Sequence, residues 1–354
     1  MRVLYLSCHE VLEADEISLL QELGHDVFSP GAYVELRNRG DGCLRPDIPG
    51  LKYDPETVTM FHALGKPGED NKSLLTKAFV DRFDVVIVMH LPNWIIQNWE
   101  AMKHKTVIWR TIGQSIPRIE QAMQSYRSQG LKIVRYSPRE RVMEPYAGED
   151  ALIRFYKDPN EFGGWTGNNV QVINFTQSMP KRGTHCNYQL FKDVTQGFST
   201  KLYGPGNEDA GALNGGKQSF EELKRLLRTN RVYLYTGTHP ASYTLAFIEA
   251  FMTGIPCISV GYYWGNPDWY FRPPSPGDPS EHGLFEVPDL ITHGVNGFVS
   301  DHVGKLRGYV QSLLDDLVLA KMIGEAGRKK AIELFGKTAI KEQWRAFLDG
   351  LGIK

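Results

Sequence analysis

The stretch Thr236–Val260, TGTHPASYTLAFIEAFMTGIPCISV, decides the fold. The run 231–236 (RVYLYT) leading into it has the β-branched and aromatic make-up of a buried strand. That strand ends in a small, polar loop. A helix opens near Tyr243–Thr244 and stops at Gly254, a residue suited to the position just past a helix end. Pro256 cannot continue the helix, and 255–260 (IPCISV) is again an apolar strand. Strand, helix and strand in close succession make a parallel pair with a right-handed crossover. The first N–H groups of such a helix have no partner inside it. With the helix dipole they form a phosphate site. Glu249 lies about five residues into the helix. A carboxylate there can accept hydrogen bonds from a ribose diol, or act as an ordinary solvated or capping acid.

The same rhythm extends in both directions. On the N-terminal side of the stretch come strands at 170–175 and 199–203 and helices at about 184–196 and 219–229, the last with a Ser219/Glu222 capping box. The tail 302–350 is helical, with Leu306, Val310, Leu313 and Leu314 on one face. Further upstream, strands at 2–7, 25–29, 84–89, 106–111 and 132–137 alternate with helices at 11–23, 72–82, 94–103 and 116–128. Residues 30–70 read as a long loop rich in Gly, Pro and Arg. Segment 157–169 (KDPNEFGGWTGNN) has little periodicity and marks a domain boundary. The pattern predicts an α/β protein with two doubly wound, Rossmann-like domains facing across a cleft: 1–165, 166–336, and a C-terminal helix 337–354. Ligands bind at the carboxyl ends of such strands. That gives a two-substrate enzyme or a clamshell binder.

Composition removes other classes. The chain has 354 residues, 42% hydrophobic and 23% charged, which fits a soluble globular protein of two or three domains. A net charge of −1 provides no global field toward nucleic acid or an anionic membrane. No apolar run approaches the roughly 20 residues that span a bilayer. The opening MRVLYLSC, followed at once by Glu10, Glu13, Asp15 and Glu16, reads as a strand rather than a signal peptide. Cys8, Cys43, Cys186 and Cys257 lack metal-ligand spacing and read as reduced thiols of a cytoplasmic protein. The sequence holds no G-x-x-x-x-G-K-[ST] loop, no G-x-S-x-G elbow and no H-E-x-x-H pair. The first βα turn lacks G-x-G-x-x-G, which argues against a dehydrogenase. No D-x-D motif is placed for a divalent cation.

From Ala241 onward the chain resembles the nucleotide-sugar signature of retaining GT-B glycosyltransferases, specifically family GT4, which runs roughly E-x-F-G-L-x-x-L-E-A-M-A-x-G-x-P-V-I. Glu249 matches the second glutamate, Thr244 and Leu245 the turn, and Gly254 and Pro256 the close of the motif. The likeness continues at Gly294-Val-Asn-Gly297-Phe-Val and covers most of 168–345. The family's first glutamate, which contacts the donor sugar, falls at Ala241. The resemblance implies that the amides near Thr244 and Leu245 hold a diphosphate and that Glu249 holds the ribose hydroxyls. In Asn174–Gly183 (NFTQSMPKRG), Gln177 stands at the family's arginine position, and Lys181 or Arg182 at its lysine position. Cations belong there because the leaving nucleoside diphosphate gains negative charge in the transition state. Tyr203-Gly204-Pro205-Gly206 resembles the family's turn near the nucleotide base.

In the first domain, His90 ends a strand and matches a histidine that contacts the donor sugar in the family; a satisfied structural histidine is the alternative. Arg110 ends the next strand, where it meets an anionic acceptor or donor phosphate, or forms a strand-end salt bridge. Ser7, Cys8 and His9 end the first strand on the acceptor side. The aromatics Tyr262, Tyr263, Trp264, Trp269, Tyr270 and Phe271 can stack on a sugar or base, or cover the core.

The resemblance implies a cytoplasmic, metal-independent hexosyltransferase-type enzyme. It would use no cofactor beyond its nucleoside-diphosphate-sugar donor, UDP- or GDP-linked, and would retain anomeric configuration. The acceptor hydroxyl, on a saccharide, a lipid-linked group, a protein or a modified nucleic-acid base, falls to residues 1–165; docking at a membrane surface and the oligomeric state stay open. Two rivals remain: a nucleotide-sugar epimerase, and a GT-B nucleotide-sugar-binding protein without turnover.

Overall fold

The computed structural model describes residues 1–31, 48, 50–64, 74–262 and 283–353. The chain divides into two compact units, Met1–Phe155 with Ile340–Lys354, and Tyr156–Ala339.

Unit 1 begins β1 (Arg2–Leu6), α1 (Glu10–Glu22), β2 (Asp26–Phe28), α2 (Pro55–Ala63), α3 (Lys77–Val80) and β3 (Val85–Met89). It continues α4 (Pro92–Met102), β4 (Thr106–Arg110), α5 (Pro117–Arg127), β5 (Lys132–Arg135) and β6 (Ala151–Leu152). The strands form a parallel sheet in the order β2-β1-β3-β4-β5-β6. All five residues of β3, VVIVM, are buried, as a strand covered on both faces requires. Phe28, Phe61, Phe79 and Phe83 pack ring to ring on one side of this sheet. The chain leaves β1 toward one edge and β3 toward the other, so the connections reverse between them.

Unit 2 runs β7 (Asn169–Phe175), α6 (Met179–Arg182), α7 (Tyr188–Thr195), β8 (Thr200–Tyr203), β9 (Asn214–Gly216), α8 (Phe220–Thr229) and β10 (Asn230–Tyr235). It then runs α9 (Leu245–Thr253), β11 (Cys257–Val260), α10 (Val287–Leu290), β12 (Phe298–Ser300), α11 (Val303–Asp315) and α12 (Leu317–Phe335). Its parallel sheet is ordered β12-β11-β10-β7-β8-β9. This is the 3-2-1-4-5-6 order of dinucleotide-binding sheets, read from the other edge. The order reverses between β7 and β10. Leu306, Val310, Leu313 and Leu314 are the buried face of α11, as their spacing predicts. A last helix, α13 (Lys337–Gly350), lies in unit 1 from Ile340 onward.

Several local expectations need correction. The segment 30–70 is not all loop, because α2 lies within it. Asp54 accepts from the Thr57 N–H at 3.0 Å and Pro55 opens the helix, two start signals present in the sequence. The rest of that segment, apart from residues 30, 31, 48 and 50–64, lies outside the described residues. The helix read at 184–196 starts only at Tyr188. Gly183 (φ 49°) and Asn187 (φ 52°) break the chain into two short turns before it. The Ser219 hydroxyl caps the Glu222 N–H at 3.2 Å, but the Glu222 carboxylate binds Arg225 instead of completing a capping box. β6 has two residues, too few to leave a periodic signal. Of the aromatic stretch only Tyr262 is among the described residues. No helix among them is long and apolar enough to cross a membrane.

Candidate functional site

In a doubly wound sheet the crevice for a ligand opens where the strand order reverses, beyond the carboxyl ends of the strands. In unit 2 those ends are the segments after β7 and β10. The chain binds the two together. Thr236 donates from its hydroxyl to the Cys186 carbonyl at 2.7 Å, and Asn187 donates to the Thr236 carbonyl at 2.8 Å. The His239 N–H donates to the His185 carbonyl at 2.7 Å, and the two imidazoles lie 5.6 Å apart. Burial raises the Cys186 thiol and the Tyr235 phenol, and the Arg182 charge opposes both shifts. The cation after β7 is thus felt at the end of β10.

Lys181 is exposed and Arg182 half-buried, both on the short α6. Neither side chain has an ion-pair or hydrogen-bond partner among the described residues. Gln177 is exposed just before them. Across the same edge, Thr244 caps α9 with its hydroxyl 3.4 Å from the Phe247 N–H. The N–H groups of Leu245 and Ala246 have no partner among the described residues. The first turn of α9 carries no acid. The first turn of α1 carries Glu10 and Glu13, so its positive end is already offset. Of these two helix ends, only that of α9 lacks an offsetting acid.

Gly204 follows β8 with φ 125°, a conformation that side chains rarely adopt. A Cβ there would lie 3.0 Å from the Thr176 carbonyl oxygen, so the two loops approach as backbone. Fully buried Asn207 fixes that approach. Its amide donates to Thr176 O (2.8 Å) and Gly204 O (3.0 Å), and its oxygen accepts from Met179 N (2.9 Å). Nothing in the sequence reading singled it out, although an Asn just past a Gly-Pro-Gly turn is a loop-fixing signal. Asn207→Ala should leave these three backbone groups short of partners and lower the stability of unit 2 by about 2–3 kcal/mol in urea unfolding. A loss near zero would mean that the loops hold their shape without it.

Glu249 sits where the sequence places it, but its carboxylate is neither solvated nor a cap. It is 6% exposed, and its Oε1 lies 2.9 Å from the ammonium of Lys157, itself 1% exposed. Lys157 falls in the irregular boundary segment, where sequence carries no sign of a partner 92 positions away. Ala241, at the family's first-glutamate position, is buried.

In unit 1 the order reverses between β1 and β3, and the residues just beyond those strands are Ser7, Cys8, His9 and His90. His9 is the N-cap of α1, its ring nitrogen 3.4 Å from the Leu12 N–H, so it acts first as a cap. His90 is half-buried with φ 59°, uncommon outside glycine. Its N–H donates to the Arg110 carbonyl at 2.8 Å and its own carbonyl accepts from the Trp109 indole at 2.9 Å. Burial lowers its pKa from the ordinary histidine value of 6.5. Below 6.5 the unfolded chain takes up a proton that folded His90 resists, so stability falls as pH drops through that region. NMR titration should place the His90 midpoint below 6.5; a midpoint above it would contradict a desolvated, neutral imidazole at pH 7.

Of the two readings of Arg110, the structure gives the strand-end salt bridge. It is fully buried, with Nε 2.9 Å and Nη2 2.8 Å from Glu16 Oε1, and its guanidinium lies 4.1 Å from the Phe155 ring. Glu16 also accepts from the Tyr5 hydroxyl. The guanidinium is thus committed to the core rather than to an acceptor or a phosphate.

No family model matches the chain, and no curated protein matches it. Solved structures do. Anabaena HepE in complex with UDP-glucose is similar with TM-score 0.66 at 14% identity, covering 99% of this chain and 100% of that one. Sucrose-phosphate synthase from Thermosynechococcus elongatus gives TM-score 0.66 at 13% identity over 99% of each chain. A glycosyltransferase from Rickettsia africae gives 0.64 at 13% identity, over 99% and 98%. Two parallel six-stranded sheets flanked by helices, matched nearly end to end by these structures, give this chain the α/β GT-B glycosyltransferase fold.

Proposed function

We propose that the protein moves a sugar from a nucleoside-diphosphate donor to an acceptor hydroxyl with retention of configuration. The observation that carries this reading is that the segment after β7, which bears Lys181 and Arg182, is hydrogen-bonded to the segment after β10, which leads into the open N–H end of α9. Lys181 and Arg182 neutralise the diphosphate, the Leu245 and Ala246 amides bind its oxygens, and Glu249 accepts from the ribose. The bond from the sugar C1 to the diphosphate breaks while the acceptor oxygen bonds C1 on the same face. The departing phosphate oxygen takes the acceptor proton. Positive charge fixed beside the leaving group favours this step because the leaving group gains negative charge between the bound donor and the transition state. His90, neutral at pH 7, is a hydrogen-bonding group at the β1/β3 reversal of unit 1, and the acceptor falls to that unit. UDP-glucose bound to HepE on the same fold supports uridine donors as the first trial.

Thermal-shift screening with UDP-, GDP-, ADP- and TDP-sugars tests the reading. One base should raise the midpoint, and nucleotide release should follow when acceptors are supplied. Absence of any shift across the panel would refute it. Ala241 favours a second reading, donor binding without turnover. Binding with neither transfer nor hydrolysis would select that one.

A further inference from the structure

The Lys157–Glu249 ion pair has no evident reason in stability. A buried pair is seldom more stabilising than apolar side chains of the same volume, because both charges lose their hydration. Its location is more informative. Glu249 lies four residues past Leu245, roughly 6 Å along the axis of α9 from the amides assigned to the diphosphate. That spacing suits the sugar that adjoins a 5′-diphosphate. Lys157 is held from its own backbone. Its N–H donates to the Phe335 carbonyl at 2.9 Å, and it bridges to Gly336 in parallel register. Its ammonium lies 5.7 Å from the Phe162 ring centroid. An ammonium so anchored fixes the rotamer of the carboxylate it holds. A carboxylate accepts up to about four hydrogen bonds, so an ion pair on Oε1 does not by itself bar it from accepting from a diol.

We propose that Lys157 is a positioning residue that orients Glu249 toward a 2′,3′-diol and so makes the donor site selective for ribonucleotides over 2′-deoxyribonucleotides. This rests on the donor site proposed above.

The test compares dissociation constants for UDP and 2′-deoxy-UDP, and for GDP and 2′-deoxy-GDP, by calorimetry. Wild type should prefer the ribonucleotide by about tenfold or more, the scale of a hydrogen bond to a charged group. Lys157→Met should reduce that preference at least fivefold while the deoxynucleotide affinity stays within about twofold. Lys157→Arg should recover part of it. Should Lys157→Met fail to fold, a cycle removes the charges together. Lys157→Met/Glu249→Gln should show the same ribose preference as Glu249→Gln alone, because Lys157 acts only through Glu249. Equal loss of both affinities, an intact preference in Lys157→Met, or a double variant below Glu249→Gln overturns the proposal and leaves the donor site standing. Wild type that binds none of the four nucleotides overturns both.

Discussion

Replacing Lys181 and Arg182 together by alanine is expected to lower kcat/KM on the transferring donor by about 10³-fold, close to 4 kcal/mol of transition-state stabilisation. Removing one preorganised donor from a developing anion costs about 10²–10³, and two groups serving one diphosphate are not additive. Affinity for the free nucleoside diphosphate should also fall, by about 10–100-fold, because the same two cations face its negative charge. Folding should be almost untouched. Neither side chain has a partner among the described residues, and surface changes of that kind stay within about 0.5 kcal/mol. A double variant that keeps kcat/KM within threefold of wild type, with an unchanged melting temperature, would remove these cations from the mechanism.

The largest effect on stability should come from Arg135→Met. Arg135 is fully buried in unit 1 and meets Glu120 with both terminal nitrogens, at 2.7 and 2.8 Å. It also reaches Glu140 at 3.3 Å and donates to the Gly148 carbonyl at 3.0 and 2.9 Å. Neither Glu120 nor Glu140 has any exposure. Methionine would fill most of the volume but leave two carboxylates in the core without their cation. The expected loss is about 3–5 kcal/mol, the range for breaking a buried pair from one side. Burial already raises the Glu140 pKa above the usual 4.5, with the Arg135 charge opposing it. A raised carboxylate pKa means that the folded state binds the proton more tightly, so stability falls as pH rises from 4.5 through the folded value. Loss of Arg135 removes the opposing charge and should widen that window. The deficit of Arg135→Met should therefore be larger at pH 8 than at pH 5. Urea unfolding followed by tryptophan fluorescence would read it, since Trp94, Trp99, Trp109 and Trp344 all lie in unit 1. A deficit below 1 kcal/mol, or one that does not change with pH, would contradict the account.

How legible the site was depended on whether a residue acts through local or distant chemistry. Thr244, Leu245 and Gly254 depend on backbone geometry within a few positions, so a strand–loop–helix pattern was enough to place them at the ends of α9. Lys181 or Arg182 was singled out by the resemblance at Asn174–Gly183, and the structure puts both on α6 with no side-chain partner among the described residues. Arg110 could not be sorted by pattern. The same strand-end arginine can face a ligand or the core, and the choice was made by Glu16, 94 positions away, closing on it at 2.9 Å. Lys157 and Asn207 were invisible for the same reason: their partners are Glu249 on α9 and the loop after β7.

By itself the sequence determined the α/β alternation, most element boundaries and the helix that presents its amides, because hydrophobic period, caps and helix stops are short-range physics. Strand order, and with it the two reversals that select which loops meet, was decided only by tertiary packing. So was the fate of each buried charge. The energy of a buried ion depends on which opposite charge lies within about 3 Å of it, and chain separation does not encode that distance.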